Sequence, residues 1–176
     1  MADLPVVIRH LKDFSIRFGE VGRSGRIFDF QPDDQARAEI ASTLNVVSLP
    51  ILTAGIELAP WMDGVEIRGR WTGRVVQTCG LSLEEFETLI AGAFTVQVLP
   101  PGSPNSPQES SEVVLDPDAA DPPDVLESQT IDLSGYMIEH VALELDPFPR
   151  KPGAVFEPPA DPGIISPFAS LRDLKS

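Results

Sequence analysis

Few side chains in this 176-residue sequence belong to the kinds that carry out acid–base, nucleophilic or metal chemistry. There are two histidines, His10 and His140, and one cysteine, Cys79. His140 stands next to Glu139, and neighbours in a helix do not face each other, so it reads as a half-exposed helix histidine. Cys79 follows a strand end, and no Lys or Arg comes after it until Arg150, so nothing local stabilises a thiolate. It reads as a small buried apolar residue. The acid pairs Glu84-Glu85 and Asp116-x-Asp118 imply no ordered cage for a divalent ion and read as solvated. Gly-x-Ser-x-Gly, phosphate-loop and dinucleotide fingerprints are absent, and Gly69-x-x-x-Gly73 falls in a strand. These residues support no catalytic group, no metal site and no cofactor.

Arg68, Arg70 and Arg74 make the stronger constellation. Period-two alternation places all three on one sheet face, the first pair ~7 Å apart. That spacing resembles the phosphate spacing along one nucleic-acid strand. An ordinary solvated face, with Glu57 and Glu66 partly neutralising the arginines, has the same pattern.

The elements that would position these residues are legible as periodicities. Residues 14–18 and 26–30 alternate as short aromatic strands around a Gly-rich turn. Residues 33–44 read as a helix with Ala36, Ile40 and Leu44 on one face, acidic residues at its start and Asn45 at its stop. Asp63-Gly64 is a two-residue hairpin signal. Folding the flanks about it pairs Met62 with Val65, Pro60 with Ile67, Ile56 with Trp71, Glu57 with Arg70 and Trp61 with Glu66. Val65, Ile67, Gly69, Trp71, Gly73 and Val75 then point inward. Residues 83–99 fit a helix almost as well as a strand, but the β-branched end Thr95-Val96-Gln97-Val98 favours strand throughout. Asp132 caps a helix over 132–145, Ile131 staples against Tyr136, and Leu133, Met137, Val141 and Leu145 form its core stripe. Ser166-Pro167 opens a short helix, 167–175.

The expected fold is α+β: an antiparallel sheet centred on the hairpin 51–79 and strand 83–99, covered by helices 33–44 and 132–145. A single domain, 1–149, is interrupted by an acidic, Pro-rich disordered loop, 100–128, and followed by a Pro-rich tail, 150–176. The formal charge is −14, and it is segregated. Residues 75–149 hold 14 acidic side chains and no Lys or Arg, whereas residues 1–74 hold 9 basic and 10 acidic ones. Acidity overall argues against a general nucleic-acid coat but not against a local arginine face. One cysteine excludes an intrachain disulfide, the N-terminus has no signal pattern, and no apolar run approaches the roughly 20 residues of a membrane span. A cytoplasmic protein without a membrane partner is expected.

Three stretches together resemble a known family. They are Gly73-Arg74-Val75-Val76-Gln77-Thr78-Cys79, the helix from Ile131-Asp132-Leu133 to Leu143-Glu144-Leu145, and the ending Ser166-Pro167-Phe168-Ala169-Ser170-Leu171-Arg172-Asp173-Leu174-Lys175. In order and spacing they resemble the YceD family, the large ribosomal RNA subunit accumulation proteins, over about residues 40–176. The segment Asp146 to Ala154 is similar to the alphaproteobacterial branch. Some members carry Cys-x-x-Cys and later cysteines; here Ser82 stands at the second position, so a four-thiolate zinc site within one chain is impossible. The resemblance implies a bacterial, non-enzymatic factor for 23S ribosomal RNA accumulation and large-subunit biogenesis. Its implied partners are 23S RNA or its precursor and ribosomal proteins or assembly factors. The RNA-facing candidates are then Arg68, Arg70, Arg74, Arg150 and Lys151. Phe168, Leu171 and Leu174, with Arg172 and Lys175, form a docking helix for a partner or for the chain's own core. The alternative is a protein–protein adaptor whose acidic loop 100–128 binds a basic ribosomal protein without touching RNA.

Overall fold

A computed structural model describes residues 4–107 and 121–156. Its centre is a six-stranded sheet in the order β1 (Val6–Ile8), β3 (Arg26–Phe30), β4 (Ser48–Trp61), β5 (Gly64–Thr78), β6 (Glu85–Leu99), β7 (Asp124–Val125). A second, two-stranded sheet pairs β2 (Ser15–Arg17) with β8 (Thr130–Asp132). The helices are α1 (Phe18–Val21), α2 (Asp34–Thr43) and α3 (Leu133–Glu144). The α+β class and the long central strands match expectation, but the sheet is mixed and not purely antiparallel. β1 runs parallel to β3, and β7 runs parallel to β6. Both parallel partners are edge strands of two or three residues, too short to leave a periodic signal.

The hairpin register also differs from the expected one. Trp61 pairs with Gly64, Glu57 with Arg68 and Ile56 with Gly69, so the turn centres on Met62-Asp63 and not on Asp63-Gly64. Met62 supplies the positive φ of 51° that the turn needs. Gly64 serves a different purpose. A Cβ there would lie 2.0 Å from the Val98 carbonyl oxygen of β6. The side chain of Asp63 reaches away from the turn, accepting hydrogen bonds from Ser103 Oγ at 3.0 Å and Asn105 Nδ2 at 2.7 Å. A shift of two residues keeps every side chain on its face, so the inward set is as read from the sequence. Leu52, Ala54, Ile56 and Leu58 of β4 join Val65, Ile67, Trp71 and Val75 of β5 in the core.

One face of this sheet is covered. Helix α2 packs on β4 with Ala36, Ile40 and Ala41 buried. Its Asp33 side chain accepts from Ala36 N–H, and at its end Asn45 N–H and Val46 N–H bond to the Ser42 and Ala41 carbonyls with Asn45 at φ 53°. That paired ending closes a helix without glycine. Helix α3 lies on β6, burying Leu133, Met137 and Val141. Asp132 caps it by accepting from Gly135 N–H at 3.0 Å. The small β2–β8 sheet adds Ile16 and Ile131 to the same core, together with Phe14 just before β2, which stacks on Phe30 at 4.5 Å. Two glycines receive aromatic rings: Phe94 lies over Gly69, and Trp71 lies over Gly92.

Candidate functional site

The other face of the sheet carries the arginines. In β4, β5 and β6 the outward positions alternate with the buried ones, and among the described residues no helix packs over them. Strand pairing arranges this face in rows. Ile27, Glu57, Arg68 and Thr95 form one, and Asp29, Gly55, Arg70 and Ala93 the next. Then come Thr53, Thr72 and Ala91, followed by Ile51, Arg74 and Leu89. Arg68, Arg70 and Arg74 therefore stand side by side along β5, as the alternation requires.

Their surroundings are not alike. Arg68 is paired with Glu66 on its own strand. Arg74 Nη1 lies 2.7 Å from Glu87 Oε1 on β6. Arg70 makes no ion pair among the described residues. The register explains this. Pairing Glu57 with Arg70 would have placed a carboxylate opposite this guanidinium. The observed register moves Glu57 to Arg68 and leaves Gly55 and Ala93 beside Arg70. These small residues open a shallow groove of about 450 Å³ with Arg68, Arg70, Thr95 and the carboxylate of Glu57 along it. A Cβ built on Gly55 meets nothing within 4 Å, so the groove there is open space. Asp29, Glu57, Glu66 and Glu87 share the face. It is a mixed surface with one uncompensated cation near its middle, not a uniformly basic patch.

Arg150 and Lys151 lie at the end of β5 nearest Arg74. The Pro149 carbonyl accepts from Gly80 N–H at 2.9 Å, and Lys151 Nζ lies 2.9 Å from Glu84 Oε2. Arg150 is exposed and makes no ion pair among the described residues. Of the docking candidates, Phe168, Leu171, Leu174, Arg172 and Lys175 lie outside the described residues.

The remaining chemistry-bearing side chains are apart from this face. His140 stacks on Phe94 at 4.1 Å on the covered side, and its Nδ1–H donates to the Tyr136 carbonyl at 2.8 Å. Tyr136 itself donates to Asp124 Oδ2 at 2.9 Å, and burial first, then that bond, pushes its phenol well above the usual value. His10 lies 2.9 Å from Asp33 at the start of α2. Cys79 is buried, and its Sγ accepts from the N–H groups of Leu81, Ser82 and Lys151 at 3.3–3.4 Å. A search for a neighbouring cation cannot find this cradle, because its donors are uncharged groups of Leu81 and Ser82 together with the N–H of Lys151. Among the described residues no three His, Cys, Asp or Glu side chains gather where a metal ion would sit. No described helix is long and apolar enough to cross a membrane.

Comparison with known proteins adds one finding. No curated protein sequence and no solved structure is similar enough to extend it. The model of one protein family matches residues 67–175, which takes in β5 from Ile67 on with its arginines, β6, α3 and the C-terminal stretch. The match covers more than half of the 176 residues, and the chain belongs to the YceD family, described as large ribosomal RNA subunit accumulation protein.

Proposed function

We propose that the chain supports accumulation of large-subunit ribosomal RNA as a non-enzymatic binding factor whose open sheet face meets the RNA backbone. Arg70 is the central contact, Arg68 and Arg74 flank it, and Arg150 and Lys151 extend the cationic line past the end of β5. The observation that carries this reading is Arg70 itself. It stands unpaired among the described residues, over a groove floored by Gly55 and Ala93, on the face that no described helix covers. A phosphate entering there, past Glu57 on the groove wall, gains a charge-assisted contact with a guanidinium that holds no carboxylate among the described residues. Arg68 and Arg74 must exchange Glu66 and Glu87 for phosphate, so their net contribution is smaller.

The test is the salt dependence of binding to purified large-subunit ribosomal RNA. Each phosphate contact adds about 0.7–0.9 to the slope of log K against log salt. Arg70→Ser is expected to lower that slope by about this amount. Gly55→Ala adds a Cβ that meets nothing within 4 Å and is expected to weaken binding with the fold intact. An unchanged slope in the Arg68→Ser, Arg70→Ser, Arg74→Ser triple variant would remove RNA contact by this face. The second reading is an adaptor for a basic ribosomal protein, and the four carboxylates on the same face favour it. Retained RNA affinity in that triple variant, with loss of a protein partner, is its signature.

A further inference from the structure

Strand β6 bonds to β5 along its whole length, from Glu85 opposite Thr78 to Val98 opposite Val65. On its other side β7 pairs only with Val98 and Leu99. Two hydrogen bonds fix which backbone groups face which way. The Glu84 carbonyl accepts from Cys79 N–H, towards β5, and the Leu99 carbonyl accepts from Leu126 N–H, towards β7. Backbone groups of successive strand residues point to opposite sides. Even-numbered residues of β6 therefore bond to β5, and the odd-numbered ones from Glu87 to Thr95 present N–H and C=O to the open edge. No hydrogen bond from another described residue reaches those groups.

Proteins normally blunt such an edge with lysine, proline or a bulge. β6 has none of the three: Glu85–Leu99 contains no Lys, Arg or Pro, and its pairing with β5 has no register shift. Ala91 and Ala93 leave the middle of the edge uncrowded, and Leu89 is 74% exposed. Beside Phe86–Ala91 runs a groove of about 260 Å³ whose far wall is Glu144, Leu145, Asp146 and Arg150.

Charge selects the occupant. Glu85, Glu87, Glu144 and Asp146 lie at one end of the edge, and Asp121, Asp124 and Glu127 follow the other end. The nearby cations are Arg74 and Lys151, held by Glu87 and Glu84, and the free Arg150. A second copy of this chain would bring the same carboxylates and the same charge of −14 against itself. We propose that the open edge of β6 binds an extended, lysine- or arginine-rich segment of a protein partner by strand addition. Backbone hydrogen bonds would supply the docking and the acidic ends the selection. From Glu87 to Thr95 the edge spans about 27 Å at a rise of ~3.4 Å per residue, room for a segment of nine residues.

The full chain is titrated with a ten-residue peptide of alternating lysine and threonine, followed by backbone amide exchange. In the free chain the amides of Leu89, Ala91, Ala93 and Thr95 are expected to exchange faster than those of Ile90, Gly92 and Phe94. Saturation with the peptide slows the first set at least tenfold. N-methylation of one alternate set of peptide amides costs at least tenfold in affinity, whereas methylation of the other set does not. Glutamate in place of lysine costs at least tenfold as well. Ala93→Pro deletes an edge N–H that the fold does not use and weakens the peptide similarly. Arg70→Ser leaves it unchanged, which separates this site from the arginine face. The proposal is overturned by any of four results. These are no binding at millimolar peptide, equal affinity for both methylated peptides, edge amides already protected in the free chain, or edge protection that grows with protein concentration alone.

Discussion

At the scale of single residues, Cys79 shows how far local sequence can mislead. Between residues 75 and 149 there is no cation to favour a thiolate. Yet the fold surrounds Sγ with donors, the Ser82 hydroxyl first and then the N–H groups of Ser82 and Lys151. They draw the thiol down from 9.0 to about 6 against the opposing effect of burial. The sign follows directly. A depressed value means that ionisation stabilises the fold, fully above pH 9.0 and progressively less as pH falls through about 6. The ultraviolet absorbance of the thiolate in the native chain is expected to rise with a midpoint near 6, and Cys79→Ser to flatten stability between that value and 9.0. A native midpoint near 9.0 contradicts the cradle. Gly69 gives a second residue-scale prediction. A Cβ there would lie 2.0 Å from the Phe94 ring, which His140 backs on its other side. Gly69→Ala is expected to cost about 1–3 kcal/mol in urea unfolding, the usual cost of overpacking. A loss under about 0.5 kcal/mol would mean that the ring has room to move.

At the scale of elements, faces were readable and partners were not. Alternation of apolar and charged residues identified the inward sets of β4 and β5, because side-chain period alone decides a face. Cap chemistry located α3, since Asp132 performs the same bond wherever the helix packs. Asp132→Ala is expected to cost about 1 kcal/mol, read as a lower midpoint of thermal unfolding. No change in that midpoint would assign the stability of α3 wholly to Leu133, Met137 and Val141. The register escaped because Asp63-Gly64 resembles a turn centre. Gly64 is instead required by the Val98 carbonyl of a strand more than thirty residues away, and Asp63 by Ser103 and Asn105. Neither reason is written in the hairpin itself. Strands β1 and β7 escaped for a simpler cause: two or three residues in parallel pairing carry no period to read.

At the scale of the whole molecule, a chain with a charge of −14 carries three arginines on one open sheet face, among Asp29, Glu57, Glu66 and Glu87. The covered side of the sheet binds α2, α3 and the core, the edge of β6 is bordered by carboxylates, and the open side holds Arg70 free of any ion pair among the described residues. The arginine stripe was legible in the sequence as alternation along β5. That Arg70 alone is uncompensated was not, because it depends on which residue of β4 lies opposite. On the open side an approaching backbone would meet Arg70, a cation that makes no ion pair among the described residues. Thr72 lies on that face between Arg70 and Arg74, exposed, in the row with Thr53 and Ala91. A photo-crosslinking side chain at Thr72, activated in cells assembling ribosomes, tests the central claim most directly. Adducts with large-subunit ribosomal RNA, lost when Arg70→Ser is added, are the predicted result. Adducts with protein alone, from a variant that still restores accumulation of that RNA, would contradict it.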